Sequence, residues 1–250
     1  AESGSSMTLP ACCVTGCEDA FVADGHATLH LQDSIAVASI NNGFMATDNS
    51  HIKCMHSVAC YNGQAAAGGA ERDTTRGIFS GGSGFVSLNN STVNARGTLS
   101  YRSSGPGYQA SNNSTIDCSF SDSRDNLGGG VFALNNSNIT SESVFVDQCG
   151  VLGLYAYNNS TIESDFSAVL FTGVDGPRTE EGDIFGDGSV ISRNSSLGFD
   201  GVTAEYNVGN NIVVESNSSA FSGFRNSFRN TNIQDGTFSI SCTDGGKVYT

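Results

Sequence analysis

Apolar and other residues alternate in short bursts along this chain, and the bursts recur. Residues 84–93 read GFVSLNNSTV, 107–116 GYQASNNSTI, 130–139 GVFALNNSNI and 153–162 GLYAYNNSTI, each starting 23 residues after the one before. Weaker copies open at Ala20, Gly43, Gly188 and Asn211, for eight coils in all. The second position is Phe21, Phe44, Phe85, Tyr108, Val131, Leu154, Ser189 and Ile212. The fourth is Ala23, Ala46, Ser87, Ala110, Ala133, Ala156, Ile191 and Val214, and the tenth is Leu29, Ile52, Val93, Ile116, Ile139, Ile162, Leu197 and Ala220. Period two on both sides of a polar interruption predicts two short strands and a turn, not a helix. The alternation is expected to run on past the tenth position, through Ile162, Ser164, Phe166, Ala168 and Leu170.

Three strands and three bends per 23 residues describe an all-β solenoid, a right-handed single-stranded parallel β-helix. Asn tolerates the left-handed conformation of a sharp bend. Stacked coils should therefore carry a structural ladder through Asn49, Asn90, Asn113, Asn136, Asn159, Asn194 and Asn217. The opening Gly suits a second corner where a Cβ would be in the way. Coils about 4.8 Å apart make eight of them a rod of roughly 38 Å. Residues 1–19 and 232–250 depart from the repeat and read as a cap or linker and a cap, with the β-helix over 20–231. Two joints are longer than the rest, with insertions near 64–83 and 172–187 that enter at one phase of the coil. On a solenoid, one phase means one face.

Net charge is −14, the wrong sign for nucleic acid or an anionic membrane, which need basic patches. No apolar run approaches membrane-spanning length, so no membrane insertion is expected. The chain begins at Ala1 rather than Met, as a fragment or processed product would. Cys12, Cys13 and Cys17 with His26 and His30 match no zinc spacing, so neither metal nor cofactor is expected. A disulfide or free thiols remain open for those cysteines. Cys54 and Cys118 share a coil phase with Ala95, Ser141 and Ser164 and read as small interior residues. His26, His30, His51 and His56 read as turn and surface residues. The Asn-x-Ser/Thr triplets are accounted for by the turn ladder rather than by glycosylation.

The insertions sit four coils apart, roughly 19 Å at the strand spacing, and would wall a groove. Its floor takes Tyr101, Arg102, Ser103 and Ser104, then Asp122, Arg124, Asp125 and Asn126, then Asp147 and Gln148. The walls add Glu71, Arg72, Asp73 and Arg76, then Asp175, Arg178, Glu180, Glu181 and Asp183. Planar hydrogen-bonding groups beside an aromatic suit sugar hydroxyls. Tyr101, Arg102, Arg124 and Asp147 are the candidate glycan-binding residues. Asp122, Asp125 and Asp147 are the carboxylates to weigh as catalytic, because glycoside hydrolysis uses a pair. The bland alternative is solvated loops on a passive rod.

The phrase G-[FYVL]-x-A-x-N-N-S-x-I resembles repeats of bacteriophage tail fibres and tailspikes, over about residues 20–220. The resemblance implies a homotrimeric, extracellular rod on a virion tail. It would join other tail proteins and attach to a cell-surface polysaccharide on the host. Some members also cleave that glycan, so a glycoside hydrolase or lyase is the alternative reading, and a bacterial surface adhesin a weaker one. In the wider pectate-lyase-like superfold, hydrolases carry Asn-x-Asp, Asp-Asp, Gly-His-Gly and Arg-x-Lys, and this pattern is absent here. The two lysines, Lys53 and Lys247, sit in no such setting. Strong catalysis is not expected of this chain. Fold alone does not assign function.

Overall fold

The computed structural model describes residues 1–63, 82–170, 172, 188–205, 207, 211–221, 226 and 240–249, and the backbone alone at 72–73, 78–79, 222 and 227–229. The chain coils through three parallel sheets. The first has ten strands, running from Ser6–Pro10 through Thr92–Asn94, Thr115–Asp117 and Asn138–Thr140 to Lys247–Tyr249. The second has nine, from Cys13–Thr15 through Leu99–Tyr101, Asp122–Arg124 and Phe145–Asp147 to Ser227–Arg229. The third also has nine, from Phe21–Ala23 to Ile240–Cys242. Each strand pairs with the equivalent strand one coil on, so the molecule is a parallel β-helix. All eight phrase openings lead into strands of the third sheet. Both terminal stretches join the ladder, and Ser6–Pro10 and Lys247–Tyr249 are the outermost strands of the first sheet.

The second, fourth and tenth positions of the phrase are buried in all eight copies. Phe21, Phe44, Phe85 and Tyr108 form one stack, with centroids 4.9, 4.8 and 5.1 Å apart. Tyr108 ends it, and its buried hydroxyl lies 2.9 Å from Thr98 Oγ1, so the polar tip is satisfied. Cys54 and Cys118 are buried with Ala95, Ser141 and Ser164, and all eight cysteines are free thiols. At the opening glycine the constraint is close approach. A Cβ on Gly84 would fall 2.2 Å from Ser100 Oγ, and one on Gly153 2.2 Å from Val169 Cγ1.

The expected alternation beyond the tenth position breaks. Phe166 has φ +53° and is 61% exposed, whereas Val169 is buried. A bend at Phe166 resets the phase, so Ser167 and Val169 face inward in place of Phe166, Ala168 and Leu170.

Each of the three bends places at least one residue at positive φ and a buried residue directly after it, polar in most coils but Ala27, Val144, Cys149 and Val202 in others. At the Asn-Asn-Ser bend both asparagines are left-handed, Asn112 at +59° and Asn113 at +61°. The amide chain runs through the first of them. Asn89 Nδ2 donates to Asp48 Oδ1 at 2.9 Å, Asn112 to Asn89 at 3.1 Å, Asn135 to Asn112 at 3.3 Å and Asn158 to Asn135 at 2.9 Å. Asn90, Asn113, Asn136 and Asn159 are exposed and stack through their backbone. Asn113 N donates to Asn135 O at 3.1 Å and Asn136 N to Asn158 O at 2.9 Å.

Below them lies a buried serine ladder. Ser91 N donates to Ser114 Oγ at 3.2 Å, Ser114 N to Ser137 Oγ and Ser137 N to Ser160 Oγ, both at 3.1 Å. The second bend repeats the arrangement from Thr98 N to Ser121 Oγ at 3.0 Å and from Val144 N to Ser167 Oγ at 3.1 Å. The third uses asparagine, with Ser103 N donating to Asn126 Oδ1 at 2.9 Å and Thr172 N to Asn207 Oδ1 at 3.0 Å.

Ile139 is 1% exposed and sits in register between Ile116 and Ile162. Ile139→Ala should cost ~2–5 kcal/mol in denaturant unfolding. A change under about 0.5 kcal/mol, the surface range, would show that the interior phase is misread. Ser137→Ala strands the Ser114 N–H in the interior and should cost about 1–3 kcal/mol. An unchanged midpoint would mean that this N–H has another acceptor.

Candidate functional site

Strand alternation sorts the second sheet into two faces. Ser100, Ser123 and Val146 point into the coil and are buried, so their neighbours in each strand point out. Two register lines result, Tyr101–Arg124–Asp147 and Leu99–Asp122–Phe145, on three adjacent rungs. Arg102, Asp125 and Gln148 follow at the corner, each with φ +52°. The structure thus brings Tyr101, Arg102, Asp122, Arg124, Asp125, Asp147 and Gln148 onto one surface.

Ser103, Ser104 and Asn126 do not belong to that surface. All three are buried, because they follow the left-handed corner residue and turn inward, where Asn126 serves the bend ladder. The candidate wall residues Glu71, Arg76, Asp175, Arg178, Glu180, Glu181 and Asp183 lie outside the described residues. Arg72–Asp73 pairs antiparallel with Ile78–Phe79.

Two arginines organise the face. Arg124 Nη2 donates to Asp122 Oδ2 at 2.7 Å, while its guanidinium carbon lies 4.9 Å from the Phe145 ring centroid. Arg102 Nε stands 3.6 Å from Asp125 Oδ2, and its guanidinium lies 4.9 Å from the Tyr101 ring. Guanidinium over ring fixes the plane of each donor array. Tyr61 meets Tyr101 edge-on at 5.8 Å. Sequence reasoning missed Tyr61 and Phe145. Tyr61 stands 40 residues before Tyr101, across the long joint, and the register Cys60↔Tyr101 with the bond from Tyr61 N to Tyr101 O at 3.0 Å brings them together.

Asp147 is the unusual group. Its Oδ1 is buried with no hydrogen-bond partner. Burial pushes its carboxyl above the usual carboxylate value, Arg124 pulls it down, and Asp125 and Asp122 push it up again. A carboxyl so placed is a candidate proton donor. Among the described residues no three His, Cys, Asp or Glu side chains group to hold a metal ion.

The raised value fixes a sign. The folded protein holds the Asp147 proton more tightly than the unfolded chain does. Ionised Asp147 therefore weakens the fold at neutral pH, and stability recovers as pH falls through the folded-state value. Asp147→Asn should raise the melting temperature at pH 7, with the gain vanishing below the ordinary carboxylate range. A variant less stable than the parent at pH 7 would show that ionised Asp147 is a favourable partner of Arg124.

No protein-family model matches the chain, and no curated protein matches its sequence. Among solved structures, the chain is similar to the full-length tailspike protein 2 of an Escherichia coli O157:H7 bacteriophage. Identity is 13% and the TM-score 0.49, over 89% of this chain and 35% of that one. The chain therefore spans about a third of that protein's length.

Proposed function

We propose that this chain is a structural and receptor-binding segment of a viral tail fibre or tailspike, and that the outer face of its second sheet contacts a cell-surface glycan. In this reading the rod is extracellular, sits on a virion tail and works as a homotrimer with other tail proteins. One observation carries the binding part. Three adjacent rungs present Tyr101, Arg124 and Asp147 in one register line, flanked by Arg102 and Asp125. Sugar hydroxyls both donate and accept, so a ligand needs guanidinium and carboxylate within one ring's reach, with an aromatic face for its C–H side. The viral part rests on the resemblance of the repeat phrase to tail-fibre repeats.

A second reading is favoured by Asp147 alone. Its raised carboxyl, with Asp122 and Asp125 close enough to push it up, has one property a polysaccharide-cleaving enzyme asks of a general acid. Binding without cleavage is the reading preferred here, because no other group of the face is marked as nucleophile or base.

Glycan-array and whole-cell binding test both readings. Arg124→Ala should lower binding about tenfold or more, and Asp147→Ala should weaken it too. Unchanged binding by both variants removes the face from the function. Depolymerisation of a host polysaccharide by the purified protein, abolished in Asp147→Asn or Asp122→Asn, selects the enzyme instead.

A further inference from the structure

The outer face of the first sheet changes character towards its N-terminal end. Burial alternates along its strands, so Thr28, His30 and Gln32 point outward from Thr28–Gln32, and His51, Lys53 and Met55 from His51–Met55. Ser6–Pro10 adds Thr8 and Pro10. Pairing sets Thr8, His30 and Lys53 in one register line across three rungs, with Pro10, Gln32 and Met55 in the line beside it. His30 and His51 stand in strands and are half-buried, unlike His26 and His56, which occupy left-handed bends. Further along the rod the first line continues as Asn94, Asp117, Thr140 and Glu163. Its basic part is confined to this end.

Thr8, Pro10, His30, Gln32, Lys53 and Met55 line a cleft of about 200 Å³. That is smaller than sites for drug-sized ligands, so it suits one small charged group on a short stem. Its charged groups are basic although the chain carries −14. The His30 and His51 rings meet edge-on at 6.5 Å. Burial, then the like charges of His30 and Lys53, hold the His51 imidazole below its ordinary value. Neighbouring acids are engaged elsewhere. Asp117, beyond Asn94 in the line, is held by Arg96 at 3.1 Å. Asp33, past Gln32, faces His56 at 3.9 Å, and Asp48 accepts from Asn89. Ser6–Pro10 and Thr92–Asn94, on either side, carry no titratable side chain. Lys53 is exposed and has no ion-pair partner among the described residues.

We propose that this cleft binds a phosphate monoester. Lys53 and His30 donate to the phosphoryl oxygens, Thr8 donates from the opposite side, and the organic stem lies on Pro10 and Met55. A lysine ammonium is the point charge that phosphate sites use, whereas planar pairing with carboxylate is a property of arginine. Three rungs span roughly 10 Å, so side chains on the outer two can converge on one tetrahedral group over the middle one. The anion also relieves the crowding of like charges. By linkage, His30 and His51 hold their protons more tightly when it is bound. The inference uses no residue of the second-sheet face and does not depend on the glycan reading.

Calorimetric titration of the whole chain with n-butyl phosphate, inorganic phosphate, sulfate and acetate, at a pH near the imidazole value, tests it. Butyl phosphate should bind, inorganic phosphate should bind more weakly for want of a stem, and acetate should not bind measurably. Lys53→Met should weaken butyl phosphate about tenfold or more, the worth of one charge-assisted hydrogen bond. Its melting temperature should hold, since Lys53 is exposed. Arg124→Ala should bind like the parent. In proton NMR the His30 and His51 imidazoles should titrate at higher pH with butyl phosphate present, while His26 and His56 stay unmoved. Acetate or sulfate binding as tightly as butyl phosphate overturns the assignment, as does parental affinity in Lys53→Met. Imidazole titrations that move at all four histidines, or at none, reveal general screening or no site and overturn it as well.

Discussion

One hydrogen bond, repeated without a break along the Asn-Asn-Ser bend and recurring at the other two, is what the architecture depends on. A parallel ladder satisfies backbone groups only while strands run side by side. At a bend the chain swings inward, and the N–H just past the left-handed residue loses its ladder acceptor. Left buried and alone it would cost ~1–3 kcal/mol per bend per coil, more than a domain of marginal stability tolerates over many coils. Where the next coil carries Ser or Asn at that position, its side-chain oxygen accepts it. Ser137 Oγ does so for Ser114, Ser121 Oγ for Thr98 and Asn126 Oδ1 for Ser103. Where Val144, Cys149 or Val202 takes the position instead, the turn is held by its neighbours in the stack. The bond explains why the interior is lined with small polar side chains at its corners and apolar ones along its strands.

The large features of the fold were legible because the repeat states them many times. Ile116, Ile139 and Ile162 occupy the tenth position of identical phrases, and their common fate needed only the alternation rule. The Asn-Asn-Ser bend was legible as a bend but assigned one residue late. Asn stands in both left-handed positions, and sequence does not say which side chain reaches along the stack. The serine was hidden by its own ordinariness, since Ser after Asn is common in any exposed turn. Phe166 misled for the opposite reason. An apolar residue in step with Ser164 and Ala168 counts as core unless the extra residue of the corner is known.

The candidate site was partly legible for a related reason. Tyr101, Arg124 and Asp147 fall at one phase, so the 23-residue period alone aligns them. Ser103 and Asn126 fall just past the corner, where one left-handed residue sends the next side chain inward. Tyr61 lies across the long joint, where counting by 23 fails, and only strand pairing restores its position. The carboxyl of Asp147 owes its character to burial of one oxygen, a property of packing that no spacing encodes.

The direction of the ladder has a mechanical consequence. Strands lie across the rod, so the hydrogen bonds between coils point along its axis. Tension on the two ends loads those bonds in series, and the weakest interface opens first, a coil at a time. Compression is borne differently. It presses Phe21 on Phe44 on Phe85 on Tyr108, rings already stacked 4.8 to 5.1 Å apart, and close-packed interiors yield little. The molecule is accordingly a strut rather than a cable, stiff when pushed against a surface and peeled open when pulled from it.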